Sequence, residues 1–248
     1  VDALINSLDA LIAKKRAIKQ GLMQELLTGK KRLPGFSGGW KKCTFEELYK
    51  ISGGLSASRE QLSTEGFCYL HYGDIHLSSK NYIDVGVEFE KIPKLNISMN
   101  KIPINSILDD GDVVFVDASE DDDGASKHIV IINKAKTDFI SGLHTIVCKN
   151  KTEMMNHDYQ RFCFQTENVK RQFKFYAVGT KVTGISKTNI KKIHLNIPSL
   201  QEQKAIAEIL IDIDNEIKQL ETELHKKQLI KQGMMQELLT GRIRLMGG

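Results

Sequence analysis

The sequence predicts an α+β protein in which one α/β domain lies between two long helices that form an antiparallel coiled coil. Three observations predict this fold. A stretch near the N-terminus recurs near the C-terminus, the apolar residues of both copies follow 3- and 4-residue steps, and short β-favouring segments lie between the copies. We expect a truncated first helix at residues 1–35, the domain at residues 36–200 and a longer second helix at residues 201–248.

The repeat is clearest at Lys19–Gly29, where the sequence KQGLMQELLTG returns as KQGMMQELLTG at Lys231–Gly241. The offset is 231 − 19 = 212 residues, and at this offset 18 of the 32 residues from Asp2 to Leu33 are identical. Chance does not produce such identity, so the chain carries two copies of one element. Residues 201–212 have no counterpart before residue 1, and we therefore expect the first copy to be a truncated helix.

Both copies have the composition and the boundary signals of helices. Residues 2–28 lack proline and are rich in Ala, Leu, Lys and Gln. At the start of the second copy, Ser199 is followed three residues later by Glu202, which is the pattern of a capping box. Gly21 recurs as Gly233, which predicts a close backbone approach or a bend unless glycine is merely tolerated there.

Each helix carries one narrow apolar stripe that it cannot bury alone. Either each stripe packs on its own globular domain, or the two stripes pack against each other. We favour mutual pairing, because two copies of one stripe can pack antiparallel about a pseudo-twofold axis. The residues predicted to form this pairing are Ile5, Leu8, Ile12, Ile206, Ile209, Ile213, Ile217, Leu220 and Leu224.

The region between the helices has the pattern of a mixed α/β domain. The sequence FEELYKI at residues 45–51 predicts a short helix, and the aromatic-rich stretch at residues 153–175 predicts further helices. The β-favouring segments are Phe67–Tyr72, Asp112–Val116, His128–Ile132, Thr145–Cys148 and Ile193–Ile197.

Charge is segregated along the chain although the net charge is only +4. Residues 109–123 contain eight acidic residues and no basic ones, and residues 170–192 contain seven basic residues and no acidic ones. In the second stretch Lys and Arg alternate with Phe, Tyr, Ser, Thr and Asn, which favours a surface that contacts the phosphates and base edges of DNA. A solvated charged surface is the alternative interpretation.

The sequence carries no motif of a catalytic or metal centre. The four cysteines are scattered without a CxxC pair, which favours reduced thiols over structural zinc. A P-loop, a G-x-S-x-G elbow, an H-E-x-x-H zinc site and an Asn-Pro-Pro-Tyr-like segment are all absent from the sequence. The acidic run at 121–123 favours a solvated turn, because three consecutive carboxylates cannot all face one ion. No apolar run approaches the ~18 residues of a membrane span, so we expect no membrane contact.

Several segments of the chain, taken in order, resemble one known family. They are KQGLMQELLTGKKR at 19–32, GDVVF at 111–115, ISGLHT at 140–145, GTKVTGISKTNI at 179–190 and NIPSLQEQKAIAEIL at 196–210. In this order they resemble the specificity (S) subunit of type I restriction-modification enzymes, and together they extend over nearly the whole chain.

The resemblance implies a target-recognition domain that recognises one half of a split site in double-stranded DNA. It also implies that the paired helices act as a spacer and as a docking surface for modification (methyltransferase) subunits. In this family the modification subunits methylate adenine with S-adenosylmethionine, and a separate motor-nuclease restriction subunit cuts DNA. The chain itself is therefore expected to bind no cofactor, to catalyse nothing and to work in a prokaryotic cytoplasm.

The chain departs from the usual family member in one respect. That member has two recognition domains, each followed by a helix, whereas this sequence has one domain preceded by a truncated helix copy. It thus resembles the second half of an S subunit, or a naturally half-length one. A half-length subunit can recover two-site binding by forming a homodimer, and closed twofold pairing then predicts a palindromic split site.

The candidate DNA contacts are chosen by residue type and by position in loops. Arg59 is expected to contact guanine in a bidentate way, and Lys181 and Lys187 to bind phosphate. The full set is Arg59, Tyr72, Lys80, Asn81, Ser126, Lys127, Arg171, Lys181, Thr183, Lys187 and Asn189. Two alternatives stay open, namely a coiled-coil scaffold that binds no DNA and a nuclease that uses Asp112, Asp117 and nearby lysines.

Overall fold

The computed structural model describes residues 1–119, 126–179 and 183–240. Its helices are α1 (Asp2–Leu26), α2 (Phe45–Leu48), α3 (Tyr72–Leu77), α4 (Val85–Glu88), α5 (His157–Cys163), α6 (Glu167–Tyr176), α7 (Lys187–Ile190) and α8 (Leu200–Leu239). Its strands are β1 (Lys41–Thr44), β2 (Tyr49–Gly53), β3 (Leu62–Ser63), β4 (Phe67–Leu70), β5 (Tyr82–Asp84), β6 (Lys94–Leu95), β7 (Val113–Val116), β8 (Ala118–Ser119), β9 (His128–Ile132), β10 (Phe139–Ser141), β11 (Thr145–Asn150), β12 (Thr183–Gly184) and β13 (His194–Ile197). The predicted α+β fold with two long flanking helices is confirmed.

Two main sheets and two separate strand pairs lie in the described part of the domain. The larger sheet has the order β2-β11-β7-β9-β5, in which neighbours are antiparallel except for the edge strand β5, which is parallel to β9. The smaller sheet has the order β10-β4-β6-β3, with β10 parallel to β4. Strands β1 and β13 pair antiparallel and so join the beginning and the end of the domain.

Strand β7 lies between two hydrophobic cores, which explains why its four residues are all apolar. Val113 and Phe115 face a core that includes aromatic residues of α5 and α6 and the first turns of α8. Val114 and Val116 face a second core, which includes Ile75 of α3. The two cores hold the larger sheet rigidly between them, and this fixes the positions of the loops at the strand ends.

Helices α1 and α8 pack antiparallel, as predicted. Lys19 Nζ lies 2.5 Å from Asp214 Oδ1, and Lys231 Nζ lies 2.8 Å from Asp2 Oδ1. These two ion pairs are equivalent under the repeat, because 2 + 212 = 214 and 19 + 212 = 231. The pairing therefore has the expected pseudo-twofold symmetry. Of the predicted pairing residues, the fully buried ones are Leu8, Ile12, Ile206 and Ile217, and the half-buried ones are Ile5, Ile209, Ile213, Leu220 and Leu224.

A partly buried ion pair helps to fasten the helix pair to the domain, beside the apolar packing of the helices in its core. Arg32 Nε and Nη2 donate to the two carboxylate oxygens of Glu202 at 2.5 and 2.7 Å, and Glu202 is buried. Ser199 Oγ accepts from the Glu202 backbone N–H at 3.3 Å, which is one half of the predicted capping box. The other half is not formed, because the Glu202 carboxylate binds Arg32. The guanidinium lies 5.7 Å from the ring centre of Trp40, which completes the joint.

Two predicted boundaries are wrong at residues that matter for the loops. The short helix predicted at 45–51 ends at Leu48, because Tyr49 pairs with Asn150 in the β2–β11 ladder. Tyr72, predicted as the end of a strand, begins α3 instead. The reason is a local cap in which His71 Nδ1 accepts from the Gly73 backbone N–H at 3.1 Å.

The expectation of a close backbone approach at the helix glycines is also wrong. A Cβ built on Gly21 or Gly233 would meet nothing within 4 Å, and α1 and α8 continue through these positions. Glycine is therefore tolerated there. Across residues 1–119, 126–179 and 183–240, we find no helix with the length and apolar character that crossing a membrane requires.

Candidate nucleic-acid interface

One end of the two sheets gathers loops that are far apart in the sequence. Strands β2, β4, β7 and β10 end there and β9 and β11 begin there, as their registers require. Strand β12 joins the same end by pairing with β8. We call this surface the loop face and define it by residues 53–59, 71–77, 117–119, 126–128, 142–145 and 183–187.

The buried hydroxyl of Tyr69 fastens two of these loops from beneath. It donates to Leu55 O at 2.7 Å and accepts from the backbone N–H groups of Ala57 and Leu143 at 3.2 and 3.1 Å. Gly142 completes the anchor, since a Cβ at this position would come within 2.5 Å of the carbonyl oxygen of Leu70. The loop face therefore rests on a fixed base, which a recognition surface needs in order to hold its side chains in register.

Tyr72 lies at the centre of a group of imidazole rings. Its ring centre is 4.5 Å from that of His71, 5.4 Å from that of His144 and 6.1 Å from that of His76. The rings of His144 and His76 meet the Tyr72 ring nearly at right angles, which is a favourable aromatic geometry. Since Tyr72 is half-buried, its ring supports the histidines and still reaches the surface.

Arg59 lies beside this group, with its guanidinium exposed. Arg59 Nη2 is 3.4 Å from His71 Nδ1 and 3.7 Å from Asp74 Oδ1. Because His71 Nδ1 is an acceptor, the neutral ring carries its proton on Nε2. Burial, and next the positive charge of Arg59, lower the pKa of His71. The loop face thus combines an exposed guanidinium with the neutral ring of His71, which carries a donor on Nε2.

The remaining cations lie around the edge of the loop face. Lys127 Nζ donates to the carbonyl oxygen of His76 at 3.1 Å. The exposed Lys187 crosses directly over Gly53, where a Cβ would come within 2.9 Å of the lysine Cε. Thr183 Oγ1 donates to Ser119 O at 3.3 Å across the β8–β12 pair. These contacts hold the three side chains at one surface.

The structure brings together six of the residues predicted to contact DNA and separates four others from them. Those on the loop face are Arg59, Tyr72, Ser126, Lys127, Thr183 and Lys187. Those elsewhere are Lys80, Asn81, Arg171 and Asn189. Lys181 lies outside the described residues, as does the acidic run at 121–123.

The four separated residues have contacts within the domain. Lys80 Nζ lies 3.3 Å from Glu88 Oε1, and the Asn81 amide donates to the carbonyl oxygen of Arg161. Both residues precede the edge strand β5. Arg171 Nε lies 3.4 Å from the carbonyl oxygen of Glu167 within α6, and Asn189 Nδ2 donates to that of Tyr176 at 3.1 Å. None of these contacts tests DNA binding, so a role for the four residues stays a prediction.

Several residues of the loop face were not found from the sequence. They are His71, Asp74, His76 and His144, whereas Asp117 was considered only for the nuclease alternative. Their spacing in the chain carries no motif, and each looks like an ordinary polar residue next to a strand. The only signal in the sequence is that each lies within a few residues of a predicted strand end.

The opposite end of the larger sheet holds most of the acidic residues in the described part of the acid-rich stretch. Lys149 Nζ lies 2.7 Å from both Asp109 Oδ2 and Asp112 Oδ2, and Lys134 Nζ lies 2.9 Å from Asp110 Oδ2. Among the described residues, no group of three or more His, Cys, Asp or Glu side chains could hold a metal ion. Asp112 precedes β7 and Asp117 follows it, so a strand of roughly 15 Å separates these two carboxylates. They do not form one centre.

A protein-family model and a curated relative match this chain. The model is that of the type I restriction modification DNA specificity domain, and it matches residues 37–232. The relative is the type I restriction enzyme MjaVIII specificity subunit of Methanocaldococcus jannaschii. It is 25% identical over 269 residues, which cover 98% of this chain and 58% of that protein. The chain therefore spans little more than half the length of this relative.

Solved structures share the fold at low sequence identity. The HsdS subunit from Thermoanaerobacter tengcongensis superposes with a TM-score of 0.52 and 14% identity, over 95% of this chain and 55% of that one. A chain from a structure on the complex assembly and conformational transition of the type I R-M system gives a TM-score of 0.57 and 13% identity, over 95% and 55% of the two chains. At such identity the likeness shows the fold alone.

Proposed function

Because this chain belongs to the family of type I restriction modification DNA specificity domains, we propose that its loop face binds one half of a split site in double-stranded DNA. The observation that carries the proposal is the grouping of Arg59, Tyr72, Lys127 and Lys187 on one surface, although they come from four separate segments. A surface that holds cations and polar rings on a rigid base is suited to a duplex, which offers both phosphates and base edges.

Within this surface the residues take different roles. Lys187 is exposed at the edge and binds phosphate, which contributes affinity without sequence preference. Arg59 has the side chain that can donate to both the O6 and N7 atoms of guanine in the major groove. Thr183 and Ser126 supply hydroxyl groups that can contact either phosphates or bases.

We further propose that the chain catalyses nothing. The separation of Asp112 from Asp117 by β7 speaks against the nuclease alternative, since the two carboxylates cannot hold one metal ion between them. In this proposal, modification subunits that bind S-adenosylmethionine dock on the α1–α8 pair, and a motor-nuclease restriction subunit joins the same complex in a prokaryotic cytoplasm. The chain supplies specificity and spacing.

The test is retention of specific DNA by the purified chain, alone and with modification subunits. We expect selection from a randomised duplex library to enrich one short sequence, with methylation of adenine only when the modification subunits are present. The scaffold alternative predicts no enrichment. The nuclease alternative predicts cleavage by the chain alone with a divalent cation. Either result would contradict the proposal.

The homodimer expected of a half-length subunit has structural support at the end of α8. The two helix copies end in the same QELLTG sequence, but they differ in burial. Leu26 and Leu27 are 2% and 5% exposed, because they pack in the domain core against Ile206 and Leu210. Their equivalents Leu238 and Leu239 are 37% and 83% exposed. We propose that a second copy covers this apolar end.

The identity of the two sequences indicates how the second copy would bind. The end of α8 in one chain can occupy the place that α1 occupies in another, which exchanges identical elements between protomers. We expect Leu239→Lys to shift the chain from dimer to monomer in light scattering after size exclusion. Val87→Lys is the matched control, because Val87 is 79% exposed on α4 away from the helix ends. A wild-type chain that is monomeric at high concentration would contradict the homodimer. The apolar end of α8 would then be assigned to contact with the modification subunits instead.

A further inference from the structure

We propose that His144 is a base-contacting residue of the loop face and that it recognises an exocyclic amino group, on adenine N6 or cytosine N4, in the major groove. This inference rests on the proposed function, because it assumes that the loop face meets DNA. It adds a specificity-determining residue that the sequence did not single out, together with the chemistry that it recognises.

The backbone at His144 is held in an uncommon conformation. Its φ is +57°, in the left-handed region that residues other than glycine adopt infrequently. The loop is fixed on both sides, because Gly142 N donates to Leu70 O at 2.9 Å and Asp117 N donates to the His144 carbonyl oxygen at 3.1 Å. The conformation therefore aims the side chain away from the sheet and toward the surface.

A carboxylate lies beside the side chain. His144 Nδ1 is 3.3 Å from the buried Asp117 Oδ1, which is within ion-pair distance, although the two atoms do not have hydrogen-bond geometry. A carboxylate on this side favours the tautomer with the proton on Nδ1. Nε2 is then an acceptor, and within residues 1–119, 126–179 and 183–240 it has no partner.

The ring is also restrained and accessible. Tyr72 meets it edge to face at 5.4 Å, and half of the side chain (51%) is exposed. A restrained ring with one exposed acceptor matches a single donor on a base edge. In the major groove, such donors are the amino groups at N6 of adenine and N4 of cytosine. Asp117 is a positioning residue in this arrangement, since it acts through the imidazole.

The experiment compares glycine variants at two left-handed positions. His144→Gly removes the ring and keeps the backbone conformation without strain. Lys136→Gly is the matched control, because Lys136 has a φ of +53° in the turn at the opposite end of β10. Both variants of the full chain are tested by selection from the randomised duplex library. We expect His144→Gly to lose preference at one base pair by about 5-fold, which corresponds to one hydrogen bond, and Lys136→Gly to select the wild-type sequence.

A base analogue then identifies the chemistry at that position. Replacing the selected adenine by purine, or the selected cytosine by 2-pyrimidinone, removes only the amino group. We expect this change to weaken wild-type binding by about 5-fold and to leave binding by the His144→Gly variant unchanged. Equal losses in both proteins would overturn the inference.

Other outcomes are equally decisive. An unchanged consensus for His144→Gly overturns this inference while leaving the proposed function in place, and so does a uniform loss of affinity for every sequence. A wild-type chain that enriches no sequence overturns both. Thermal unfolding of the variant checks that it folds. If the glycine variant does not fold, His144→Phe provides the same comparison, because Phe keeps an aromatic ring beside Tyr72 and has no nitrogen acceptor.

Discussion

The two ends of the larger sheet are built from similar residues and use their charges differently. At the end opposite the loop face, which we call the far end, Lys149 and Lys134 form ion pairs with Asp109, Asp110 and Asp112. The distances in these ion pairs are 2.7 to 2.9 Å. At the loop face, Arg59 and Lys187 are exposed, and Arg59 Nη2 lies 3.7 Å from Asp74 Oδ1. Among the described residues, Lys136 at the far end and His144 at the loop face have backbones in the left-handed region.

This difference shows that the number of charges in a segment does not identify a binding surface. A lysine that already pairs with a carboxylate must lose that partner before it can bind phosphate, whereas an exposed lysine loses only water. The ion pairs of the far end therefore stabilise the fold, and the exposed cations of the loop face are the ones that the proposed function assigns to DNA binding. Variants at the two ends should therefore have separate effects. Those at the far end should change the stability of the protein, and those at the loop face should change DNA binding.

The largest expected effect is at the far end. Lys149→Ala should destabilise the protein by about 3–5 kcal/mol, because it leaves the buried carboxylate of Asp112 without its partner. Urea denaturation measures this change. Lys134→Ala is the control, since that lysine is exposed in an ion pair of 2.9 Å, and such a pair contributes less than about 1 kcal/mol. If both variants lost the same free energy of unfolding, the burial of an ion pair would not determine how much it stabilises this protein.

A second effect concerns pH and comes from a histidine buried below the loop face. Burial lowers the pKa of His128 to about 4 from its usual 6.5. The unfolded chain therefore binds more protons than the folded protein between these values, and stability falls as the pH falls through about 6.5 toward 4. From these two pKa values, the loss at pH 5 is about 2 kcal/mol.

The matched variant for this effect is His128→Phe, because the ring lies between Phe115 and Phe164 at 5.4 and 5.0 Å. We expect the variant to lose less stability than the wild type between pH 7.5 and pH 5, as measured by chemical denaturation at each pH. If the free energies of unfolding of the two proteins fell equally between pH 7.5 and pH 5, protonation of His128 would not be the cause of the loss.

The third effect is on binding alone. Lys187→Ala should weaken DNA binding and reduce the slope of log K against log salt by about 0.9, the value for one phosphate contact. Its stability should change by less than about 0.5 kcal/mol, since the side chain is exposed. Fluorescence anisotropy at several salt concentrations measures the slope. Lys134→Ala should leave the slope unchanged. A smaller slope in this variant would contradict the proposal that the loop face, and not the far end, binds DNA.

The smallest expected effect compares the two left-handed residues. Lys136→Gly should stabilise the protein by up to about 1 kcal/mol, because glycine adopts this backbone conformation without a steric cost. His144→Gly should show a smaller gain, since it also loses the contacts of the ring with Asp117 and Tyr72. Thermal unfolding of both variants gives the comparison. A larger gain at position 144 would mean that these contacts do not stabilise the ring.

Much of the fold follows from local patterns in the sequence. The helix pair is predicted from the repeat alone, and even its pseudo-twofold ion pairs follow from identical residues at an offset of 212. Strands such as β7 and β9 are predicted from apolar runs. Tyr72 shows where this fails, because a single side-chain cap by His71 ends the strand and starts α3. Such a cap depends on rotamer geometry that residue pattern does not encode.

The candidate site is predicted only in part. The choice of Arg59, Lys127 and Lys187 rests on residue type, and the fold brings them together. The same reasoning also chose Asn81, whose amide donates to a carbonyl oxygen within the domain. It passed over His144, because an isolated histidine next to a strand has no distinguishing signal. Residue type alone cannot tell a side chain that binds inside its own domain from one that faces outward.

By itself, the sequence determined the duplicated helices, their antiparallel pairing and the α/β character of the domain between them, because periodicity and repetition are properties of neighbouring residues. The tertiary structure decided which end of the sheet has exposed cations, which acids are neutralised and which histidines surround Tyr72. Those outcomes depend on strand register, which places residues from distant segments within a few ångströms of one another.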